Sequence, residues 1–443
     1  MISKMSLYKF KAISSAEDIE IKPITIICGK NSCGKSSIIQ SLLLLKQTLD
    51  KPSINEAEIA LEGDYLHYSH LSDISFKLPQ PNTAKIEYRF ELMQDDKIIG
   101  YYGFVVRQSS TVKKSKMGPY ISEIKWKISS GNEENIHLEK EQLKIKKKML
   151  PDVVRSKEDA EKIEYGVLRL FHYLPNELTG YKKNTNELEK INLGISTELM
   201  KICQNLYNDI YNIKYLSPLR AIPQRAYLQF SVQENDIAID GSNAAQYLWL
   251  NKDRKIPSGG QNVSLLSGVN ECLQLIGLDQ EIAVKRTNRI LYQLTAKLKG
   301  DSTKEVPISD IGFGYSQIIP IIIRGLIAKK NSLTIYEQPE IHLHPSSAGN
   351  IADLLIKFAK DNKRSIVETH SADLINKLRL RIVQSPELKN MVNIIFVEQN
   401  SNSETSVRQF QFNENGLPPE WPEGFIDESQ QIAEAIINAR INK

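Results

Sequence analysis

Gly29-Lys30-Asn31-Ser32-Cys33-Gly34-Lys35-Ser36 is the stretch whose reading decides the fold. It fits G-x-x-x-x-G-K-[ST] without a gap, and each part has a physical task. The glycines let the backbone turn so that several N–H groups face phosphate oxygens. Lys35 is placed to reach the β- and γ-phosphates of a nucleoside triphosphate, and the Ser36 hydroxyl is a Mg²⁺ ligand. Ahead of the loop, Ile24 to Cys28 is a continuous apolar run, the pattern of a buried strand. Behind it, Ile38, Leu42, Leu45 and Leu49 share one face of a helix. A helix starting near Lys35 adds the positive end of its dipole. The expected nucleotide contacts are therefore Gly29, Asn31, Ser32, Cys33, Gly34, Lys35, Ser36 and Ser37, with ATP as ligand and Mg²⁺ as its ion. Cys33 reads as a small residue that fits the loop rather than as a redox thiol.

Working outward, Leu7, Phe10, Ile19 and Ile21 alternate with polar residues as a strand does. AKIEYRFELM, IIGYYGFVV and ISEIKWKI, between 83 and 130, predict an antiparallel sheet, with a loop over 108–118. Residues 131 to about 212 are charged and predict a helical insertion, an arm or partner-binding segment. Pro218 and Pro223 interrupt helix at 215–225. From about 262 the chain alternates. Helices are expected at 264–276, 316–328, 346–360 and 371–379, and strands at 332–336, 365–368 and 393–398. That alternation predicts a mostly parallel sheet with helices on its faces, an α/β fold. The expected divisions are 1–130, 131–214, 215–400 and a tail, 401–443.

Three later motifs narrow the class. Gly312-Phe313-Gly314-Tyr315-Ser316-Gln317 opens an apolar helix. Leu333-Thr334-Ile335-Tyr336-Glu337 is a buried strand ending in an acid, followed by Gln338-Pro339-Glu340-Ile341-His342-Leu343-His344-Pro345. Ser365-Ile366-Val367-Glu368-Thr369-His370-Ser371 is a second strand, ending at a histidine. These resemble, in order, the signature, Walker B with D-loop, and H-loop of ABC-type P-loop ATPases. Their wording is similar to the RecF/SMC/OLD branch, and to bacterial stand-alone ATPases of anti-phage systems. Ser217-Pro218-Leu219-Arg220, Pro223 and Trp421 to Phe425 extend that resemblance. It is strong over 24–49 and 310–398 and absent from about 80 to 210.

The resemblance implies a two-fold ATPase contact, in a homodimer or a higher even-numbered assembly. In it, Gly312, Gly314, Ser316 and Gln317 of one copy meet the γ-phosphate held by the other. It implies Glu337 as the Mg²⁺ carboxylate beside Ser36, and His370 as a sensor of the γ-phosphate. His342 and His344 are D-loop residues at the subunit contact. The family's catalytic glutamate is replaced here by Gln338, whose amide cannot accept a proton from water. Either Gln338 orients the water, as phosphoryl transfer permits, or Glu340 supplies the carboxylate.

The bulk composition bounds the partners. The chain has 443 residues, 41% hydrophobic and 25% charged, with a net charge of +4. So small an excess confines any DNA or RNA contact to a local patch. Lys140, Lys144, Lys146, Lys147 and Lys148 read first as a solvated helix face, with a nucleic-acid contact as the alternative. Arg220 and Arg225 bind an acidic partner or phosphate, or brace the proline turn. Trp421, Pro422 and Phe425 dock on the core or on a partner. No apolar run approaches the ~18 residues that span a bilayer, and the N-terminus lacks a signal-peptide pattern. Cys28, Cys33, Cys203 and Cys272 show no metal spacing, so a reduced, cytoplasmic protein is expected. No nuclease constellation is visible, so an effector, nuclease or toxin, is expected to be a separate protein. The alternatives are an ATP-stabilised assembly scaffold and a RecF-like DNA-repair ATPase.

Overall fold

The computed structural model describes residues 1–51, 58–80, 83–108, 118–129, 133–137, 144–146, 154, 163, 165–184, 187–228, 236–288, 291–298, 301–400 and 404–420. Along the chain come β1 (Ile2–Phe10), β2 (Ile13–Glu20), β3 (Ile24–Gly29), α1 (Lys35–Asp50), β4 (Lys85–Gln94), β5 (Lys97–Gln108) and β6 (Pro119–Ile128). Then follow β7 (Glu133–His137), β8 (Lys144–Lys146), β9 (Tyr165–Phe171), β10 (Leu174–Asn184), β11 (Glu187–Asn192), α2 (Thr197–Tyr211), β12 (Lys214–Leu216) and β13 (Tyr227–Leu228). Next are α3 (Ala244–Asn251), β14 (Lys255–Ser258), β15 (Gln261–Ser264), α4 (Leu265–Leu275), β16 (Ile282–Arg286), β17 (Leu291–Leu298) and β18 (Asp301–Pro307). The last are α5 (Phe313–Ile327), β19 (Leu333–Glu337), α6 (Pro345–Lys360), β20 (Arg364–Glu368), α7 (Ala372–Gln384), β21 (Val392–Gln399) and β22 (Thr405–Phe410). The fold is α/β, as expected.

Two compact units result. The first comprises 1–21, 31–212 and 397–407, and the second 22–30, 213–396 and 408–443. In the first, β2, β1, β4, β5, β6 and β7 form an antiparallel run of neighbours, as the alternation over 83–130 predicted. An aromatic cluster lies within its mainly aliphatic core: Tyr88 stacks on Phe104, and Phe104 on Tyr173, at ring separations of 5.2 and 4.9 Å.

The expected helical insertion is corrected here. The described residues of 131–214 are mainly strands, with β8 to β11 forming a four-stranded antiparallel sheet and α2 the one helix among them. In β9, Gly166, Leu168 and Leu170 are buried while their neighbours are not, a period of two. The lysines and glutamates that favour helix locally sit on strands because cross-strand packing overrides propensity. Lys144 and Lys146 lie on β8 rather than on a helix; Lys140, Lys147 and Lys148 lie outside the described residues. So do most of the 108–118 loop and Trp421, Pro422 and Phe425.

In the second unit β12, β19, β20 and β3 pair in parallel, with β21 beside β3. β19 and β20 are buried almost throughout, which suits a parallel sheet covered on both faces. The expected helices and strands after 262 all form, within a few residues at each end. The small antiparallel sheet of β13, β16, β17 and β18 was not foreseen. Among the described residues no helix is long and apolar enough to cross a membrane.

α5 is apolar nearly all round and carries Pro320 inside it. At its C-terminus the buried Lys363 donates to the carbonyls of Gly325 (2.9 Å) and Leu326 (2.8 Å), capping the negative end of the helix. Burial lowers the Lys363 pKa to about 8. A Cβ on Gly325 would stand 2.1 Å from the Phe358 ring of α6. Gly325→Ala is therefore expected to overpack this contact and cost about 1–3 kcal/mol, read as an earlier denaturant midpoint. An unchanged midpoint would contradict the packing described.

Candidate nucleotide-binding site

In the second unit the register aligns Glu337 of β19 with Glu368 of β20, and Glu368 with Ile27 of β3. Three loops thus leave neighbouring parallel strands at one end, where open α/β sheets bind ligands. They begin at Gly29, Gln338 and Thr369. Gly29 has φ +139° and Gln338 has φ +44°. The Gln338 N–H donates to the Glu368 carbonyl at 2.7 Å, and the Thr369 N–H to the Ile27 carbonyl at 3.0 Å.

The Tyr215 hydroxyl donates to Glu337 Oε1 at 3.0 Å. Burial, then the charge of Glu368, pushes the Glu337 pKa up to about 7, against the hydrogen bond from Tyr215. Glu368 was quoted in the sequence as part of a motif but not singled out; only the strand register shows that it sits beside Glu337.

One oxygen of Glu340 holds the histidine loop, while Oε2 is buried with no hydrogen-bond partner among the described residues. Its Oε1 accepts from the Thr369 hydroxyl at 2.6 Å and from the His370 N–H at 3.0 Å. His370 itself is exposed. His344 caps α6, its Nδ1 accepting from the Ser346 N–H at 3.3 Å, with Pro345 opening the helix. The His342 ring lies 5.9 Å from that of Phe313.

The signature segment adjoins this turn. Gly312, φ +131°, precedes α5 and offers no side-chain cap; Phe313 is 51% exposed. A Cβ on Gly314 would meet Leu343 Cδ2 at 3.3 Å and the His342 carbonyl at 3.4 Å. Ser316 donates its hydroxyl to the Phe313 carbonyl at 2.7 Å, and Gln317 is buried. Arg225 grips Asp310 through two bonds of 3.2 and 2.8 Å.

In the first unit, Asn31 to Ser37 form the rest of the phosphate loop. Ser32 (φ +61°) and Gly34 (φ +99°) are both left-handed. A Cβ on Gly34 would also stand 2.5 Å from Thr405 Oγ1, so conformation and space both demand glycine. The Thr405 hydroxyl donates to the Cys33 carbonyl at 2.8 Å, and the Cys33 thiol to the Val397 carbonyl at 2.9 Å. Cys33 is thus a buried packing residue. Thr405, 369 positions beyond Ser36 in the numbering, carried no signal in the sequence. Lys35 and Ser36 open α1, and Lys35 is only 4% exposed.

Among the described residues, no three of His, Cys, Asp and Glu converge as a metal cage. The donor set that exists suits Mg²⁺, which takes one or two carboxylates and completes its shell with phosphate and water. Glu337 fits that role, since a divalent cation is the counter-charge that a raised carboxylate beside a second carboxylate calls for.

A strand, a glycine-turned loop and a helix opening on Lys-Ser define a P-loop nucleotide-binding protein. A family model described as "AAA ATPase domain" matches residues 1–375, and the chain belongs to that family. Its ATPase character is that of the family. Two curated Staphylococcus aureus proteins, one from strain MRSA252, are named "Uncharacterized chromosomal cassette SCCmec type IVc protein CR006". They match at 28% identity over 225 residues, 47% of this chain. The chain spans 30% of their length. Among solved structures, "Crystal structure of the SmcHead bound to the C-winged helix domain of ScpA" aligns at 13% identity and TM-score 0.44, covering 93% of this chain and 97% of that one. "SMC head domain from Thermotoga maritima" aligns at 10% and 0.40, covering 95% and 99%.

A carboxyl pKa raised in the folded state makes stability fall as pH rises from the unfolded value near 4.5 to about 7, where the whole cost is present. In nucleotide-free, Mg²⁺-free buffer, Glu337→Gln should therefore stabilise the protein at pH 8 by on the order of 2 kcal/mol and change little at pH 4.5. Melting curves at both pH values check this; equal shifts would contradict the placement of Glu337.

Proposed function

We propose that this chain is a slow, nucleotide-gated ATPase that acts in the cytoplasm as a two-fold dimer and controls a separate effector protein. The observation that carries the reading is the start of α5: an exposed helix N-terminus with a glycine in place of a capping side chain and Phe313 open to solvent beside it. An N-terminus of this kind suits an anionic group delivered by a second copy. Two copies related by a two-fold axis then close over two ATP molecules.

In this reading Lys35 and the loop amides hold the triphosphate, and Ser36 and Glu337 are the side chains that hold Mg²⁺. The bound ion neutralises charge on the transferred phosphoryl group. Gln338 orients the attacking water and cannot take its proton, so turnover is slow. Glu340 holds the loop that carries His370, so that loss of the γ-phosphate is felt where the D-loop and signature meet. The effector is a nuclease or toxin, and bacterial anti-phage defence is the setting that the motif wording favours. The curated relatives are by name chromosomal cassette proteins. Gln338 itself favours a second reading, an assembly scaffold in which ATP binds and turnover is negligible.

Two outcomes are expected. Sedimentation velocity with a slowly hydrolysed ATP analogue should show a larger or more compact species, and Ser316→Arg should abolish the change; a parent profile indifferent to nucleotide contradicts closure. Gln338→Glu restores a carboxylate where a general base belongs, and should raise the single-turnover rate by about 10²-fold or more. An unchanged rate would favour the scaffold.

A further inference from the structure

Ser217 to Arg225 leaves β12, the strand that pairs with β19. Within it Arg220 is only 8% exposed. One nitrogen, Nη2, donates to the carbonyl of Glu337 at 3.0 Å and to that of Gln338 at 3.1 Å. These are the residues at which β19 ends and the chain turns left-handed. An unbranched L side chain holds φ +44° only where its surroundings over-determine it. Here both ends of the Gln338 peptide are held. Its N–H is tied to β20, and its carbonyl is shared by Arg220 and, at a longer 3.3 Å, by the Ile341 N–H.

The guanidinium gives up a great deal to sit there. Its Nε and Nη1 are buried and find no hydrogen-bond partner among the described residues. A buried charge with two unmet donors, offset only by the nearby Glu340 carboxylate, is a poor way to brace a turn for stability alone. Two residues are fixed by that one nitrogen: the Mg²⁺ carboxylate and the residue standing in for the general base.

We infer that Arg220 is a positioning residue for hydrolysis, locking the Glu337–Gln338 turn so that both side chains meet the bound nucleotide in one arrangement. The inference rests on the ATPase reading above.

The test uses the full chain with Arg220→Met, Arg220→Lys, Gln338→Ala, and Gln338→Ala combined with Arg220→Met. An ammonium can donate to both carbonyls, as Nη2 does, whereas methionine fills the space without a donor. Arg220→Met should lower kcat by about 10²-fold with KM unchanged, and Arg220→Lys should recover most of that loss. In the Gln338→Ala background the methionine change should cost clearly less than in the parent, the remainder being its effect through Glu337, because groups that act through one another are not additive. Independently of activity, hydrogen exchange in nucleotide-free protein should speed up in the peptide 336–342 of Arg220→Met and stay slow in Arg220→Lys. The peptide 345–360 of α6 should stay protected in both, which separates a loosened turn from a failed fold. Unchanged exchange at 336–342, a KM effect without a kcat effect, or fully multiplying losses in the double variant would each overturn the inference. A parent chain that binds ATP and never hydrolyses it refutes the ATPase reading instead, and the exchange result still decides Arg220.

Discussion

The alignment of three parallel strands, Ile27 beside Glu368 and Glu368 beside Glu337, is the constraint on which the site depends. Parallel pairing forces the chain to leave each strand in the same direction, so the phosphate loop, the Gln338 turn and the His370 loop all begin at one end of the sheet. A one-residue slip of β19 would send Glu337 to the other face and replace it with a tyrosine or a glutamine. The burial of these strands on both faces makes such a slip costly, because all but Glu337 of their side chains are buried. Fixed register is what brings the starts of loops far apart in the chain to one end of the sheet.

The same alignment creates an electrostatic problem. Glu337 and Glu368 are neighbours on adjacent strands, and burial together with the charge of Glu368 makes Glu337 hold its proton toward neutrality. Strain is added at Gln338, whose left-handed backbone is held by Glu368 on one side and Arg220 on the other. Carboxylate crowding and backbone strain at the end of a buried strand lower stability without a ligand. Perturbed groups of this kind concentrate at functional sites. Glu340 shows the complementary strategy: its carboxylate is used to tie the Thr369–His370 loop to the D-loop.

Much of this was legible in the chain. The apolar run Ile24 to Cys28 and the heptad-like spacing of Ile38 to Leu49 announced β3 and α1 because both periods are strong and uninterrupted. The alternation after 262 was equally plain. Residues 131–214 were misread because lysine and glutamate dominate there, and the period-two burial of Gly166, Leu168 and Leu170 is carried by few residues. The proximity of Glu368 to Glu337, the hydroxyl of Thr405 against the phosphate loop, and the grip of Arg220 were not legible. Each depends on tertiary register or on contacts between distant segments, and no local pattern encodes them.

The central claim is that the signature at α5 completes the nucleotide site of another copy. Mixing two inactive variants tests it most directly. Lys35→Ala removes the phosphate lysine and keeps the signature, whereas Ser316→Arg does the reverse. If the site is shared between copies, a mixed dimer contains one intact site, so ATP hydrolysis should reappear on mixing although neither variant alone is active. If each copy serves its own nucleotide, every protomer in the mixture remains defective, and activity that stays at the level of the separate variants would contradict the account.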